Sequence, residues 1–362
     1  MKIGIITHHS INNFGAFLQG WALQEKIKAL FPQDEVYIVN YRMPKQDIIN
    51  IGGFFRFYPG TETLKSWLHK ISQPLIFAKT RKQYLHTTKR VRNAAGINAL
   101  GLDCIVVGSD EVWNYLDPKS FSLVKYGGGL NCKRLVSYAP STGKATGEDA
   151  PQEVRAAMQA FTALSARDKG AQTLCRNALG ITPPLVCDPT FLTAFPAADT
   201  EKIRQLTQKP YVLFYYCNGI PRDLKKKLAD NARAKGYEVL GAGEYDTLYS
   251  QMSVRLTAFE WVELFRRAEY VYTGTFHGVV FSILNRKNFR VYASIDSRVK
   301  KIAALLEQFG IGDRTLREPL PQEDESIDYD AVYRYVEDLR RQSSDYLLRA
   351  IRGEQTEGEE NA

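Results

Sequence analysis

The stretch Tyr270-Val271-Tyr272-Thr273-Gly274-Thr275-Phe276-His277-Gly278-Val279-Val280-Phe281-Ser282-Ile283 reads as a strand, a turn and a helix in succession. Tyr270–Tyr272 is β-branched and aromatic, the small hydroxyl residues and Gly274 make the turn, and an apolar helix follows over about 277–285. The same alternation extends on both sides. Strands are expected at Tyr211–Tyr216, Tyr237–Leu240 and Arg290–Tyr292, with helices near 222–235, 257–267 and 298–309. Upstream, Lys2–His8, Glu35–Tyr41, Asp103–Val107, Arg134–Tyr138 and a short Pro184–Asp188 read as strands. Helices are expected at Phe14–Phe31, where Phe17, Leu18, Trp21, Ala22 and Leu23 supply an apolar face, and at Ala150–Leu164. Residues 45–100 read as irregular, then helical and basic. Strands alternating with helices imply parallel sheets with right-handed crossovers. Two such series meet near Pro189 and Pro196, which look like a linker. The fold class is therefore α/β, two Rossmann-like lobes facing a cleft. The expected division is 1–190, 191–328, a closing helix over 329–352, and a Glu-rich tail, 353–362, expected to be disordered.

Composition narrows the function classes. The chain has 362 residues, 44% hydrophobic and 24% charged, which suits a globular protein of about two domains. No apolar run approaches the length that crosses a bilayer. The start, Met1-Lys2-Ile3-Gly4-Ile5-Ile6-Thr7-His8-His9, turns polar too early for a signal peptide, so the cytoplasm is the expected compartment. Five cysteines without a CxxC spacing read as buried thiols, with no metal site. The net charge of +8 favours anionic partners. Part of it sits in Lys79, Arg81, Lys82, Lys89, Arg90 and Arg92, with no acid between them and with Phe54-Phe55-Arg56-Phe57-Tyr58 and Trp67 upstream. That stretch is either a solvated helix face or a contact with the inner surface of a membrane. No nucleic-acid-binding motif accompanies it.

In doubly wound sheets ligands bind beyond the carboxyl ends of the strands, so chemistry is sought in the loops there. After the first strand come His8-His9-Ser10-Ile11-Asn12-Asn13-Phe14-Gly15-Ala16. Asn13 and Gly15 allow a close approach to a helix N-terminus, which suits an anion. The competing reading is a capped turn. No GxGxxG supports a dinucleotide. After the third strand, Gly108-Ser109-Asp110 offers a hydroxyl and a carboxylate, and Asp110 could hold or deprotonate a sugar hydroxyl. An N-cap is the alternative. Arg167, followed by Asp168, is a surface pair or a fork for a carboxylate or phosphate. The turn at Thr275 and Gly278 builds an anion site with a titratable imidazole, His277, beside it. Arg298, opening the next helix, could reach the same anion.

These blocks together resemble the polysaccharide pyruvyl transferases. The resemblance rests on Asn13-Phe14-Gly15-Ala16-Phe17-Leu18-Gln19, Val107-Gly108-Ser109-Asp110-Glu111-Val112-Trp113-Asn114, Ser137-Tyr138-Ala139, Ala166-Arg167-Asp168, Cys187-Asp188-Pro189-Thr190-Phe191-Leu192, Thr275-Phe276-His277-Gly278 and Ser297-Arg298, in that order. It implies the two-lobed GT-B architecture and transfer of the pyruvyl group of phosphoenolpyruvate onto a sugar, leaving a pyruvate ketal and phosphate. Neither a nicotinamide nor a metal is implied. His277 matches the family's motif histidine on the donor side, and Arg167 matches an arginine that is a candidate donor contact. Asp110 and Asn13, with Gly15, Gln19 and Ser109 in the same blocks, would face the acceptor, which in such pathways is often lipid-linked. Many members carry an arginine two residues before the motif histidine. Here Thr275 stands there, and Arg298 is the expected replacement. Two rivals remain, a GT-B glycosyltransferase using a nucleotide-sugar donor and a non-catalytic carbohydrate-binding relative. The first lacks a clear acidic residue on the second lobe to grip a donor ribose.

Overall fold

The computed structural model describes residues 1–60, 62–145, 147–217, 219–253, 255–292, 296–318 and 326–354. Nine strands appear among them: β1 (Lys2–Ile6), β2 (Glu35–Ile38), β3 (Cys104–Val107), β4 (Arg134–Ser137), β5 (Tyr211–Tyr215), β6 (Glu238–Ala242), β7 (Gln251–Ser253), β8 (Tyr270–Thr273) and β9 (Asn288–Val291). Helices in chain order are α1 (Phe14–Leu30), α2 (Pro44–Phe55), α3 (Leu64–Ile71), α4 (Gln73–Tyr84), α5 (Ala94–Asn98), α6 (Gln152–Met158), α7 (Lys169–Leu179), α8 (Glu201–Leu206), α9 (Arg222–Ala234), α10 (Ala258–Arg267), α11 (Phe276–Leu284), α12 (Asp296–Gln308) and α13 (Tyr329–Arg352). The strands form two wholly parallel sheets, ordered β2-β1-β3-β4 and β7-β6-β5-β8-β9. The α/β class with Rossmann-like sheets is thus what the chain adopts.

Each sheet has its own core. In the first, Ile105, Val107, Leu135 and Ile6 pack with Trp113, Tyr126, Val154 and Leu174, all buried. In the second, Val212, Phe214 and Val239 pack under Leu224, Leu228 and Ala232 of α9. The strands β3 and β5 are buried at every residue, as expected of strands covered on both faces.

The chain groups into two compact units. One holds residues 1–51, 81–194 and the chain from Val336; the other holds 52–80 and 195–335. This differs in two segments from a division at residue 190. Residues 52–80 join the second unit because Gln73 Nε2 donates to the Leu256 carbonyl at 2.8 Å and the His69 ring meets Tyr245 Oη at 3.2 Å. The end of α13 joins the first unit. There Ser343 Oγ accepts from Cys187 N at 2.9 Å and Tyr346 Oη donates to the Ser137 carbonyl at 2.9 Å.

Some local expectations shift. The helix expected over 150–164 stops at Met158, since Thr162 N and Ser137 N bond Leu135 O and Ala163 O along the edge of β4. Pro184–Asp188 forms a single bridge, Leu185 with Ala166, because the prolines at 183 and 184 cannot donate to a ladder. The irregular start expected at residue 45 is helical, and Pro44 opens α2, where a missing N–H costs nothing. Most of the tail 353–362 lies outside the described residues. None of the described helices is long and apolar enough to cross a membrane.

Candidate functional site

Strand order locates the ligand position in each sheet, because a crevice opens where the order reverses direction. In the first sheet that point lies between β1 and β3, whose following loops are His8–Asn13 and Gly108–Asp110. In the second it lies between β5 and β8, followed by Tyr216–Cys217 and Gly274–Thr275. The sequence singled out three of these four loops.

In the first unit most of the expected residues are engaged in the fold. Asn13 caps α1, its Oδ1 accepting from Ala16 N at 3.0 Å. Gln19 is fully buried and its Nε2 donates to Thr7 Oγ1 at 2.7 Å and to Ala16 O at 3.0 Å. Gly15 is buried in the first turn of α1. Ser109 is buried, with Oγ donating to the Ala139 carbonyl at 2.8 Å. The side chains of Asn13, Gln19 and Ser109 thus hold the loops in shape.

Asp110 stands differently. Its φ is 78°, a left-handed conformation that Asp tolerates better than most residues. Its Oδ1 lies 3.5 Å from Arg167 Nη2, and Arg167 Nη1 meets Asp188 Oδ2 at 2.7 Å. The remaining Asp188 oxygen accepts from Thr190 N at 3.0 Å and Thr190 Oγ1 at 2.7 Å. Burial pulls the Arg167 guanidinium down, but Asp188 and Asp110 outweigh it and hold it above its ordinary value. The side chains of Asp188, Arg167 and Asp110 are 1%, 6% and 20% exposed. One cation between two carboxylates leaves a net negative charge, and Asp110 is the member that solvent or a ligand reaches.

Two further cations of the first unit lie where the sequence did not place them. Lys125 is buried, its Nζ donating to Ser120 O at 2.6 Å. Burial pushes its amine down to about 8, with Asp117 and Asp110 opposing. Arg81, expected in a solvated or membrane-facing run, instead donates from Nη1 to Asn12 Oδ1 at 3.0 Å beside the first loop. Burial, then Arg42, lowers its guanidinium to about 10. No local pattern announces either residue, since both reach the loops from distant segments. His8 and His9 are neutral. Burial pushes each down to about 4, and His8 Nε2 donates to Glu111 O at 3.2 Å.

The turn after β8 lies in the second unit. Thr275 caps α11, its Oγ1 accepting from Gly278 N at 3.0 Å. Gly278 is a packing requirement: a Cβ there would lie 1.9 Å from Thr273 Oγ1. Gly274 is another, since its Cβ would lie 2.6 Å from Tyr216 O and 2.9 Å from Tyr292 O. Those contacts press the β5 and β8 loops together. His277 is half-buried in the first turn of α11, its ring edge-on to Phe276 at 5.6 Å. Arg298 Nη1 donates to Gly274 O at 3.2 Å, and its guanidinium lies 5.4 Å from the Tyr216 ring centre. Tyr216 is half-exposed with φ 56°. The sequence carried it only as the end of a strand. The structure therefore brings Thr275, His277, Gly278 and Arg298 to one turn, and Asp110 and Arg167 to one ion-pair triad in the other unit.

The family comparison agrees with the order of these blocks. A profile described as polysaccharide pyruvyl transferase matches residues 13–297. The chain belongs to the polysaccharide pyruvyl transferase family. The match takes in Asp110, Arg167 and His277 and stops just before Arg298. No curated protein matches the chain. Among solved structures, a Staphylococcus aureus MnaA–UDP co-structure aligns at 11% identity and TM-score 0.48, covering 98% of this chain and 92% of the other. The UDP-GlcNAc 2-epimerase of Methanocaldococcus jannaschii aligns at 11% and 0.47, covering 94% and 93%. The ADP-heptose lipopolysaccharide heptosyltransferase II of Escherichia coli aligns at 11% and 0.42, covering 94% and 99%.

Proposed function

We propose that this family member moves the pyruvyl group of phosphoenolpyruvate onto two hydroxyls of one sugar in a surface-polysaccharide precursor. What supports the reading, beyond family membership, is the meeting of an imidazole, a helix start and a guanidinium at the β8–α11 turn. The donor is a small trianion, and this turn offers cationic and N–H partners for it. Arg298 takes the place that an arginine at position 275 holds in other members. It reaches Gly274 from α12, which supports a guanidinium reaching the donor by another route.

The chemistry balances as follows. A proton adds to the donor methylene, giving a methyl group and an oxocarbenium-like carbon. One sugar hydroxyl bonds to that carbon and loses its proton. The carbon–oxygen bond to phosphate breaks, and a second hydroxyl of the same sugar closes the ketal. One of the two hydroxyl protons replaces the one spent on the methylene, and the other leaves with the phosphate. His277 is the proposed acid at the methylene, worth roughly 10²- to 10⁴-fold. Arg298 and the α11 N–H groups stabilise charge that grows on the departing phosphate. On the first unit Asp110 accepts the acceptor's proton, and Arg167, set between Asp110 and Asp188, holds that carboxylate in place. This assigns Arg167 to positioning rather than to donor contact. The reaction belongs on the cytoplasmic side, where phosphoenolpyruvate is formed.

The test is calorimetric titration with phosphoenolpyruvate and, separately, with UDP- and GDP-sugars, followed by phosphate-release assays with diol sugars. Phosphoenolpyruvate binding that Arg298→Ala weakens at least about tenfold supports the reading. Binding of nucleotide sugars alone replaces it with glycosyl transfer. Phosphoenolpyruvate binding with no ketal formed from any acceptor leaves a non-catalytic binder.

A further inference from the structure

The segment between β2 and β3 carries an unusual distribution of apolar residues. Of the fifteen exposed large apolar side chains among the described residues, six lie within 55–75: Phe55, Phe57, Tyr58, Leu64, Leu68 and Leu75. Their exposures run from 42% for Phe57 to 74% for Leu75. Scattered exposed apolar residues are ordinary, whereas a contiguous set marks an interaction site.

These helices expose apolar side chains while Phe77 of α4 is buried. Leu64, Leu68 and Ile71 follow the i, i+4, i+7 spacing of one face of α3, and Leu75 lies in the first turn of α4. Leu64, Leu68 and Leu75 point to solvent, while Ser66, Gln73 and Thr80 are buried at 2–3% exposure. Ser66 closes a capping box with Thr63, Gln73 Nε2 bonds Leu256 O while its Oε1 is buried without a hydrogen-bond partner, and Thr80 bonds Ile76 O. The bond from Gln73 to Leu256 O, with the His69 ring on Tyr245 Oη, ties this segment to the second unit. Trp67 Nε1 donates to Phe55 O at 3.0 Å and the Trp67 ring meets Phe57 edge-on at 6.4 Å. Those contacts lock the 55–58 strip beside α3, so the face is one built surface.

Its charge selects the occupant. Residues 52–80 contain four cations, Arg56, Lys65, Lys70 and Lys79, and one acid, Glu62. Glu62 is paired with Lys70 at 2.5 Å. A second copy would set like charges against each other, which disfavours self-association through this face. An apolar stripe edged with lysine and arginine suits a helix lying in the plane of an anionic bilayer.

We propose that the α3–α4 face docks on the surface of an anionic membrane, with Leu64, Leu68 and Leu75 entering the headgroup–acyl boundary. The inference goes beyond the transfer reaction and stands without it. It also moves the membrane contact away from the basic run 79–92. In that run Arg81 bonds Asn12 and Arg90 lies 3.7 Å from Asp47, while the apolar side chains that would enter the boundary lie at 55–75.

Flotation with vesicles tests this on the full chain, using pure phosphatidylcholine and a phosphatidylcholine–phosphatidylglycerol mixture. The expected result is binding to the anionic vesicles that falls about tenfold or more in the triple variant Leu64→Ser/Leu68→Ser/Leu75→Ser. That variant should keep its melting temperature, because the three side chains already face water. Lys89→Gln/Arg92→Gln should bind nearly as the parent does. No binding by the parent, or equal binding by the leucine variant, overturns the proposal. A dimer in sedimentation equilibrium that the leucine variant dissolves overturns it in favour of a second copy. Since the readout is vesicle binding, a failure here is separate from a failure of pyruvyl transfer.

Discussion

The turns after β3 and after β8 occupy equivalent places, each beside the point where its sheet reverses strand order, yet they are finished in different ways. The β3 turn is closed by an internal ion-pair triad, Asp110–Arg167–Asp188, and by hydrogen bonds from Ser109 to neighbouring backbone. The β8 turn is closed by the Thr275 cap, backbone bonds from Gly274 N to Tyr215 O and from Tyr292 N to Thr273 O, and two glycine approaches, with His277 half-buried and the Arg298 guanidinium on a backbone carbonyl. Burying charge requires internal compensation, so the first turn is committed to holding one carboxylate in place. The second turn carries the Arg298 guanidinium, which donates to the Gly274 carbonyl. On the proposed function, the contrast gives the Asp110 side a carboxylate fixed for the acceptor and the His277 side the donor.

Removing the imidazole probes that assignment most sharply. His277→Ala should lower pyruvyl transfer about 10²- to 10⁴-fold with the melting temperature nearly unchanged, as read by phosphate release and differential scanning calorimetry. Undiminished transfer would remove His277 from the chemistry and erase the contrast. On the other side, Arg167→Leu should cost about 3–5 kcal/mol of stability, because Asp188 is left buried without its cation. Urea unfolding measures this. A loss below about 1 kcal/mol, typical of exposed pairs, would mean that the triad is not the rigid element described. Arg298→Ala, by contrast, should leave unfolding almost unmoved while weakening phosphoenolpyruvate binding.

Acid should act on the first unit before the second. His8 and His9 are held at about 4 by burial, below the ordinary unfolded value near 6.5. The unfolded chain then binds more protons between these values, so stability is complete above about pH 6.5 and falls as pH drops towards 4. Each shift of this size corresponds to ~3 kcal/mol at most. Urea midpoints at pH 7.5 and 5.0 measure the fall, and His9→Gln should remove close to half of it. An acid loss that this variant leaves unchanged would place the sensitive groups elsewhere.

How much of this could be read beforehand follows from the range of the interactions involved. The strands and the helices that follow them were legible because apolar runs and Gly/Thr turns are local signals. So was the His277 turn, where strand, cap and helix are consecutive. Arg298 at that turn required knowing only that the next strand of a parallel sheet is adjacent. Lys125 and Arg81 were not legible, since both come to the first unit's loops through tertiary packing. The same holds for α3 and α4, whose outward Leu64, Leu68 and Leu75 depart from the rule that the apolar face of a helix is buried. Asn13 and Gln19 are held by bonds within the fold, and polar residues that cap or tie a loop carry the same sequence signature as polar residues that bind a ligand.

Capping offers the smallest and cleanest test of that ambiguity. Asn13 and Thr275 each accept a backbone N–H at the start of a helix, Ala16 N and Gly278 N, both at 3.0 Å. Replacing either with alanine should cost about 1 kcal/mol, and replacing either with serine should restore most of it, because serine caps nearly as well. If Asn13 only shapes the loop, Asn13→Ser should also restore the KM for the acceptor. Thr275→Ser should likewise restore binding of phosphoenolpyruvate. Stability rescued by serine without recovery of KM would show that the Asn13 amide touches the sugar directly, and the first turn would then be less fully committed to its own structure than its hydrogen bonds indicate.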